Sequence, residues 1–185
     1  MSHRKTTERT TTRRGVIAGL SAGVGIAALY PAGVRADAGE EIARSGESIR
    51  QQVSFKAAPE RVYMALTDAK QFHQVTLLSA AIQSGMVKAT PPTRISPEAG
   101  GAFAVFGGHI VGRQIELVPK TRIVQAWRTV DWEPGVYSIA RFELAPDGTG
   151  TRMVFEHTGF PQGQAEHLAQ GWTTNYWQPL QKFLA

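Results

Sequence analysis

Two histidines, one arginine and a set of aromatic residues are the side chains whose placement could carry chemistry. His109 follows the pair Gly107-Gly108, Arg113 lies four residues on, and His157 precedes Gly159. Strand periodicity assigns their faces, since alternate residues of a strand point to the same side. Thr151, Met153, Phe155 and His157 share one face, and Ser138, Ala140, Phe142 and Leu144 share another. The apolar members make these the inner faces. Ile123, Gln125 and Trp127 form a third inner row, and the same alternation places Val111, Ile115 and Leu117 with His109 and Arg113. An imidazole that reaches a cavity could act as a general base or orient a ligand. Its ordinary alternative is a histidine at a strand end, hydrogen-bonded or solvated. Glu156 and His157 are neighbours on one strand and point to opposite faces, so they are not an acid–base pair.

Other chemistries lack their residues. The chain has no cysteine, and His73, His109, His157 and His167 show no paired metal-ligand spacing. No Gly-x-Ser-x-Gly elbow is present, and Gly107-Gly108 reads as a hairpin turn rather than a phosphate cradle. Neither a metal nor a cofactor is called for. The formal charge is +5, but six of the 20 basic residues and one of the 15 acidic ones precede Asp37, which leaves fourteen of each from Asp37 onward. The scattered, balanced charge excludes a non-specific nucleic-acid binder.

Those first residues have an organisation of their own. A basic, Thr-rich stretch ends in Arg13-Arg14, an apolar run follows from Val16 to Leu29, and Val34-Arg35-Ala36 precedes Asp37. This order matches a cleaved twin-arginine export signal over residues 1–36, and the run is too short for the ~20 residues of a membrane span. An uncleaved anchor is the alternative. The expected destination is the periplasm or cell envelope, with 37–48 as a polar linker and 49–185 as one domain.

The elements of that domain must position the candidate residues. Ile49–Phe55 alternates as a half-buried strand, Pro59 opens a short helix, and Asp68 caps a second. The stretch from Thr76 to Pro97 reads as loop. From Gly100 on, turn signals separate five strands, starting at Ala102, His109, Arg122, Val136 and Thr151. A long amphipathic helix from Gln164 to about Leu184 carries Leu168, Trp172, Tyr176 and Leu180 on one stripe, with a kink expected at Pro179. The architecture implied is α+β, a curved antiparallel sheet of about six strands gripping the last helix.

This order of elements, with Ala58-Pro59-Glu60-Arg61-Val62-Tyr63-Met64-Ala65-Leu66-Thr67-Asp68, resembles the START-like (SRPBCC) superfamily and its helix-grip fold. Gly107-Gly108-His109-Ile110-Val111-Gly112, Ile123–Arg128 and Gly171-Trp172-Thr173-Thr174-Asn175-Tyr176-Trp177 resemble the branch named for the activator of the heat-shock-protein-90 ATPase. The branch is mostly cytosolic, and Ala58 stands where a capping side chain is expected. The resemblance implies a cavity between sheet and helix for a small hydrophobic or amphipathic molecule. His109, Arg113, Trp127, Trp132, Phe142, Phe155, His157, Trp172 and Tyr176 are the candidate ligand-facing residues. Trp132, in a loop beside Asp131 and Glu133, is a lid, a partner contact or local packing. An enzyme acting on a bulky hydrophobic substrate and a co-chaperone-like interaction module are the competing functions.

Overall fold

The computed structural model describes residues 47–185; the expected export signal and nearly all of the expected linker lie outside the described residues. The described chain runs β1 (Ser48–Phe55), α1 (Pro59–Thr67), α2 (Ala69–Leu77), α3 (Ala80–Gln83), β2 (Arg94–Ile95) and β3 (Ala102–Val105). It continues through β4 (Ile110–Val118), β5 (Arg122–Thr129), β6 (Ser138–Asp147), β7 (Gly150–Thr158), α4 (Ala165–Trp172) and α5 (Gln178–Leu184). All pairings are antiparallel, and the seven strands lie in the order β1-β7-β6-β5-β4-β3-β2. The last helical segment packs across the curved sheet, so the helix-grip architecture is as expected. The additional strand, β2, and the single-turn α3 both lie in the stretch that reads as loop. Two-residue and four-residue elements carry too little periodicity to be legible.

Local chemistry explains the helix starts. Pro59 occupies the first turn of α1, where no N–H is needed, and Ala58 supplies no side-chain cap. Asp68 Oδ1 accepts from the Gln71 N–H at 2.9 Å, and Ser79 Oγ accepts from Ile82 N–H at 3.3 Å. The start of α4 is capped from elsewhere in the chain. Glu47 accepts from the N–H groups of Gly163 and Ala165 at 2.8 and 3.2 Å, which ties the beginning of the domain to its last helix.

Between α4 and α5 the helix widens into one π-turn, Thr173–Trp177, with Gln178 N–H reaching back to Thr173 O. The expected kink at Pro179 takes this form. In an unbroken α-helix the ring of Pro179 would crowd the carbonyl of Asn175; the inserted residue opens the turn and places Pro179 in the first turn of α5. Two consecutive residues of this turn, Tyr176 and Trp177, are both buried in the core.

On the outer face, paired strands align opposite charges. Arg50, Glu156, Arg141, Glu143, Arg122 and Glu116 form a continuous chain of ion pairs across β1, β7, β6, β5 and β4. Such solvent-screened pairs contribute little to stability and chiefly favour this register.

The register of β4 differs from strict alternation. A bulge falls between Gln114 and Glu116. Before it, Ile110, Gly112 and Gln114 face inward and Arg113 is exposed, as is Ile115, the extra residue of the bulge itself. Leu117 packs against the core again beyond it. Arg113 therefore points away from the interior and donates to Gly100 O at 3.0 Å, correcting its expected inward placement. One extra residue reverses the faces on either side of it.

At Gly112 the interior is too close for any side chain: an added Cβ would meet Ala126 O and the ring of Phe103. Gly112→Ala is expected to destabilise the domain by about 2–3 kcal/mol in urea denaturation. A loss below ~0.5 kcal/mol would show that β4 can move away from β5 at this point.

Candidate functional site

The space between sheet and helix is filled rather than open. Phe142, Met153, Phe155, Trp172, Trp177 and Leu180 are all 3% exposed or less, and a void of about 10 Å³ remains among Gln125, Phe142 and Tyr176. That is roughly one water's room. Phe142 and Phe155 lie 5.1 Å apart and Phe155 sits 4.3 Å from Trp172, so these two residues form the packed centre.

His157 lies at the end of this centre, fully buried. Trp172 Nε1 stands 3.0 Å from its Nδ1, and Ser138 Oγ 2.6 Å from its Nε2. An indole N–H can only donate, so Nδ1 accepts and the ring proton resides on Nε2. Nε2–H donates to Ser138 Oγ, and the Ser138 hydroxyl donates to Trp127 O at 2.8 Å. Every polar atom in this chain is satisfied with a neutral imidazole. Burial pushes the His157 pKa down to about 3, because a charged ring there would be desolvated. His157 is thus a tie between the last helix and the sheet.

A cleft of about 410 Å³ opens beside this centre, toward the ends of β4 and β5. Its floor is Phe106, Ile110, Trp127, Leu168, Trp172 and Tyr176, all buried. One wall is α3 and the loop after it, with Met86, 81% exposed, at the lip. The opposite wall is the face of α4 and the π-turn that carries His167, Gly171, Thr174 and Asn175. Asn175 Oδ1 accepts from Ala81 N–H at 2.9 Å and so joins the two walls. Phe106 reaches the floor from a tight turn between β3 and β4, with φ 53°, a left-handed conformation uncommon for a bulky residue. Gly107 follows against the carbonyls of Lys88 and Thr90, where a Cβ would not fit.

Of the nine candidates, His109, Trp127, Trp172 and Tyr176 line the cleft. His109 is half-buried and 3.6 Å from Asp131. Arg113, Trp132, Phe142, Phe155 and His157 do not line it. Trp132 is buried against Trp127 at 5.5 Å and donates to Gln164 Oε1 at 3.0 Å, while Arg128 donates to its carbonyl. Local packing accounts for Trp132.

Sequence reasoning missed Phe106, Met86, Asn175 and Gly171. Gly171 carried a readable signal. It lies inside a helix, where glycine costs ~1 kcal/mol relative to alanine. Its backbone is not in the left-handed region, and a Cβ there would meet nothing within 4 Å. No steric demand requires glycine, and what its missing side chain leaves is open cleft.

A second hollow of about 460 Å³, between the end of β1 and α5, is lined mostly by polar or charged chains such as Lys56, Gln178, Gln181 and Lys182. Phe55 is the one aromatic residue among its lining.

Residues 56–185 match the family described as Activator of Hsp90 ATPase homolog 1-like protein. The chain belongs to this family. It is 37% identical over 79 residues to an Activator of 90 kDa heat shock protein ATPase homolog from Dictyostelium discoideum, covering 42% of this chain and 21% of that protein. It is 23% identical over 129 residues to the human Activator of 90 kDa heat shock protein ATPase homolog 1, covering 70% of this chain and 34% of that protein. The matches thus span about a fifth to a third of these relatives. The crystal structure of an HSP90 activator from Plasmodium falciparum superposes with a TM-score of 0.64 at 23% identity, over 74% of this chain and 95% of that one, and establishes a shared fold. Among the described residues, no helix is long and apolar enough to cross a membrane and no cluster of potential metal ligands occurs.

The histidine tie makes two predictions. Because the folded pKa of His157 lies below its unfolded value of ~6.5, its contribution is fully present above pH ~6.5 and is lost as pH falls toward about 3. Stability should fall by up to ~1.4 kcal/mol per pH unit within that window, and His157→Gln should flatten the profile. Equal slopes for both proteins in urea titrations at several pH values would refute the assignment. Ser138→Ala, which leaves the buried Nε2–H of His157 without its acceptor, should cost about 2 kcal/mol at neutral pH.

Proposed function

We propose that this family member is exported and holds a small hydrophobic or amphipathic molecule in the cleft floored by Trp127, Trp172 and Tyr176. The observation that carries the reading is the cleft itself, kept open at Gly171 at a cost to helix stability. A volume of about 410 Å³ with an aromatic floor and a few polar rim groups is typical of small-molecule sites. The Arg13-Arg14 leader and the site before Asp37 support export. His157 supplies no proton-transfer group to the cleft, since both its nitrogens are engaged in the core. Binding is therefore favoured over catalysis.

The family's name favours a second reading, that of a protein-interaction module. Ile115 and Ile139, exposed on the outer face of β4 and β6, are apolar side chains such a module would use. Stimulation of an Hsp90-type ATPase by the purified domain, lost in Ile139→Asp, would support that reading instead.

The cleft reading is tested by expressing the full chain, recovering the exported form and measuring its mass under native and denaturing conditions. The expected result is a chain starting at Asp37 with a releasable small molecule. Gly171→Leu should remove the adduct without lowering the melting temperature, because the new side chain enters open space. A wild-type protein that never carries or takes up an apolar molecule would refute the cleft reading, and a full-length mass in the membrane fraction would refute cleavage.

A further inference from the structure

The geometry points to an uncharged, flat, ring-bearing ligand whose carbonyl or hydroxyl oxygen accepts a hydrogen bond from Tyr176. This deepens the cleft reading above and rests on it.

The aromatic floor of the cleft offers no charged partner. It contains no Asp, Glu, Lys or Arg side chain. A carboxylate or ammonium taken to its floor would lose water and gain no counter-ion, a cost buried ions do not survive unpaired. The cleft's side chains Ser84, Thr129, Gln170 and Asn175 only hydrogen-bond; His109, which stands 3.6 Å from Asp131, and His167 are the lining groups able to carry a charge.

The floor favours rings. Trp172 lies 4.2 Å from Tyr176 and 5.4 Å from Trp127, and Phe106 lies 5.2 Å from Tyr176, centroid to centroid. Four aromatic groups on one floor offer faces and edges to a planar partner, a geometry that aliphatic chains do not exploit.

Tyr176 supplies the direction. Trp127 Nε1–H donates to Tyr176 Oη at 3.4 Å. This bond uses an acceptor site of the hydroxyl and leaves its proton uncommitted, because an indole nitrogen cannot accept. Burial pushes the phenol pKa up, so the group remains a neutral donor. Tyr176 lines the cleft while 93% buried, so an acceptor oxygen on the ligand is the natural partner for that proton.

Three probes sharing one ring system test the inference: 2-ethylnaphthalene, 2-acetylnaphthalene and 2-naphthoate. Binding is read by quenching of Trp fluorescence in the mature protein at neutral pH. The ketone should bind about tenfold tighter than the hydrocarbon, and the carboxylate at least tenfold more weakly than the ketone. Tyr176→Phe, with its melting temperature measured alongside, should erase the preference for the ketone and leave the hydrocarbon's affinity unchanged. The wild-type comparison decides even where that variant is too unstable to use. Ketone and hydrocarbon binding equally, with both excluded by Gly171→Leu, would overturn the role of Tyr176 while leaving the cleft as a site. Preference for the carboxylate would overturn the neutral-ligand class. Failure of all three to bind would overturn the cleft reading and this inference together.

Discussion

The hydrogen-bonded chain from Trp172 through His157 and Ser138 to the Trp127 carbonyl is the constraint on which the rest of the interior depends. It joins the last helix to β7, β6 and β5 in a region where no water can substitute for a missing partner. Each polar atom has one possible role, so the tautomer, the helix position and the strand register are specified together. The same helix is held at two further points. Trp177 Nε1–H donates to Gln51 Oε1 at 2.7 Å, and Gln51 Nε2–H donates to Ala169 O at 3.0 Å. Glu47 fixes its start. Apolar burial holds the helix on the sheet, and these directional bonds decide where along the sheet it sits.

Filling the centre moves the open space to one end. Trp127 and Trp172 are shared by both regions: their rings stand against His157 at 5.0 and 5.5 Å and also form the floor of the cleft. The rigid side of the site is thus built from the most constrained residues of the core. The opposite wall is α3, which has no buried residue of its own, and the loop with Met86; Ile82 and Val87 pack it against the core, and Asn175 joins it to the π-turn. A site with a fixed aromatic floor and a weakly anchored lip suits ligand exchange, since local opening is cheapest where burial is least.

Much of the fold was legible because the major strands and the last helix carry strong periodic signals. The inner rows at Thr151, Met153, Phe155 and His157, and at Ser138, Ala140, Phe142 and Leu144, are buried as the alternation requires. The sequence misled where a single inserted residue shifted the period. The bulge in β4 put Arg113 outside and Gln114 inside, and in the π-turn Trp177 is buried beside Tyr176. Such insertions leave composition unchanged and show only once a neighbouring strand or helix fixes the register.

The amino-acid sequence by itself determined the class of fold, the inward rows of β5, β6 and β7, and the membership of Trp172 and Tyr176 in one helix face. These follow from local periodicity, which a strand or helix expresses wherever it is placed. Only the tertiary structure decided that Phe142, Phe155 and His157 close the centre and that Tyr176 faces open space. Whether an inward side chain meets a void or another side chain depends on the summed volumes of residues far apart in the chain. Phe106, Gly171 and Met86 come from three distant segments and meet only when the sheet curves around the helix.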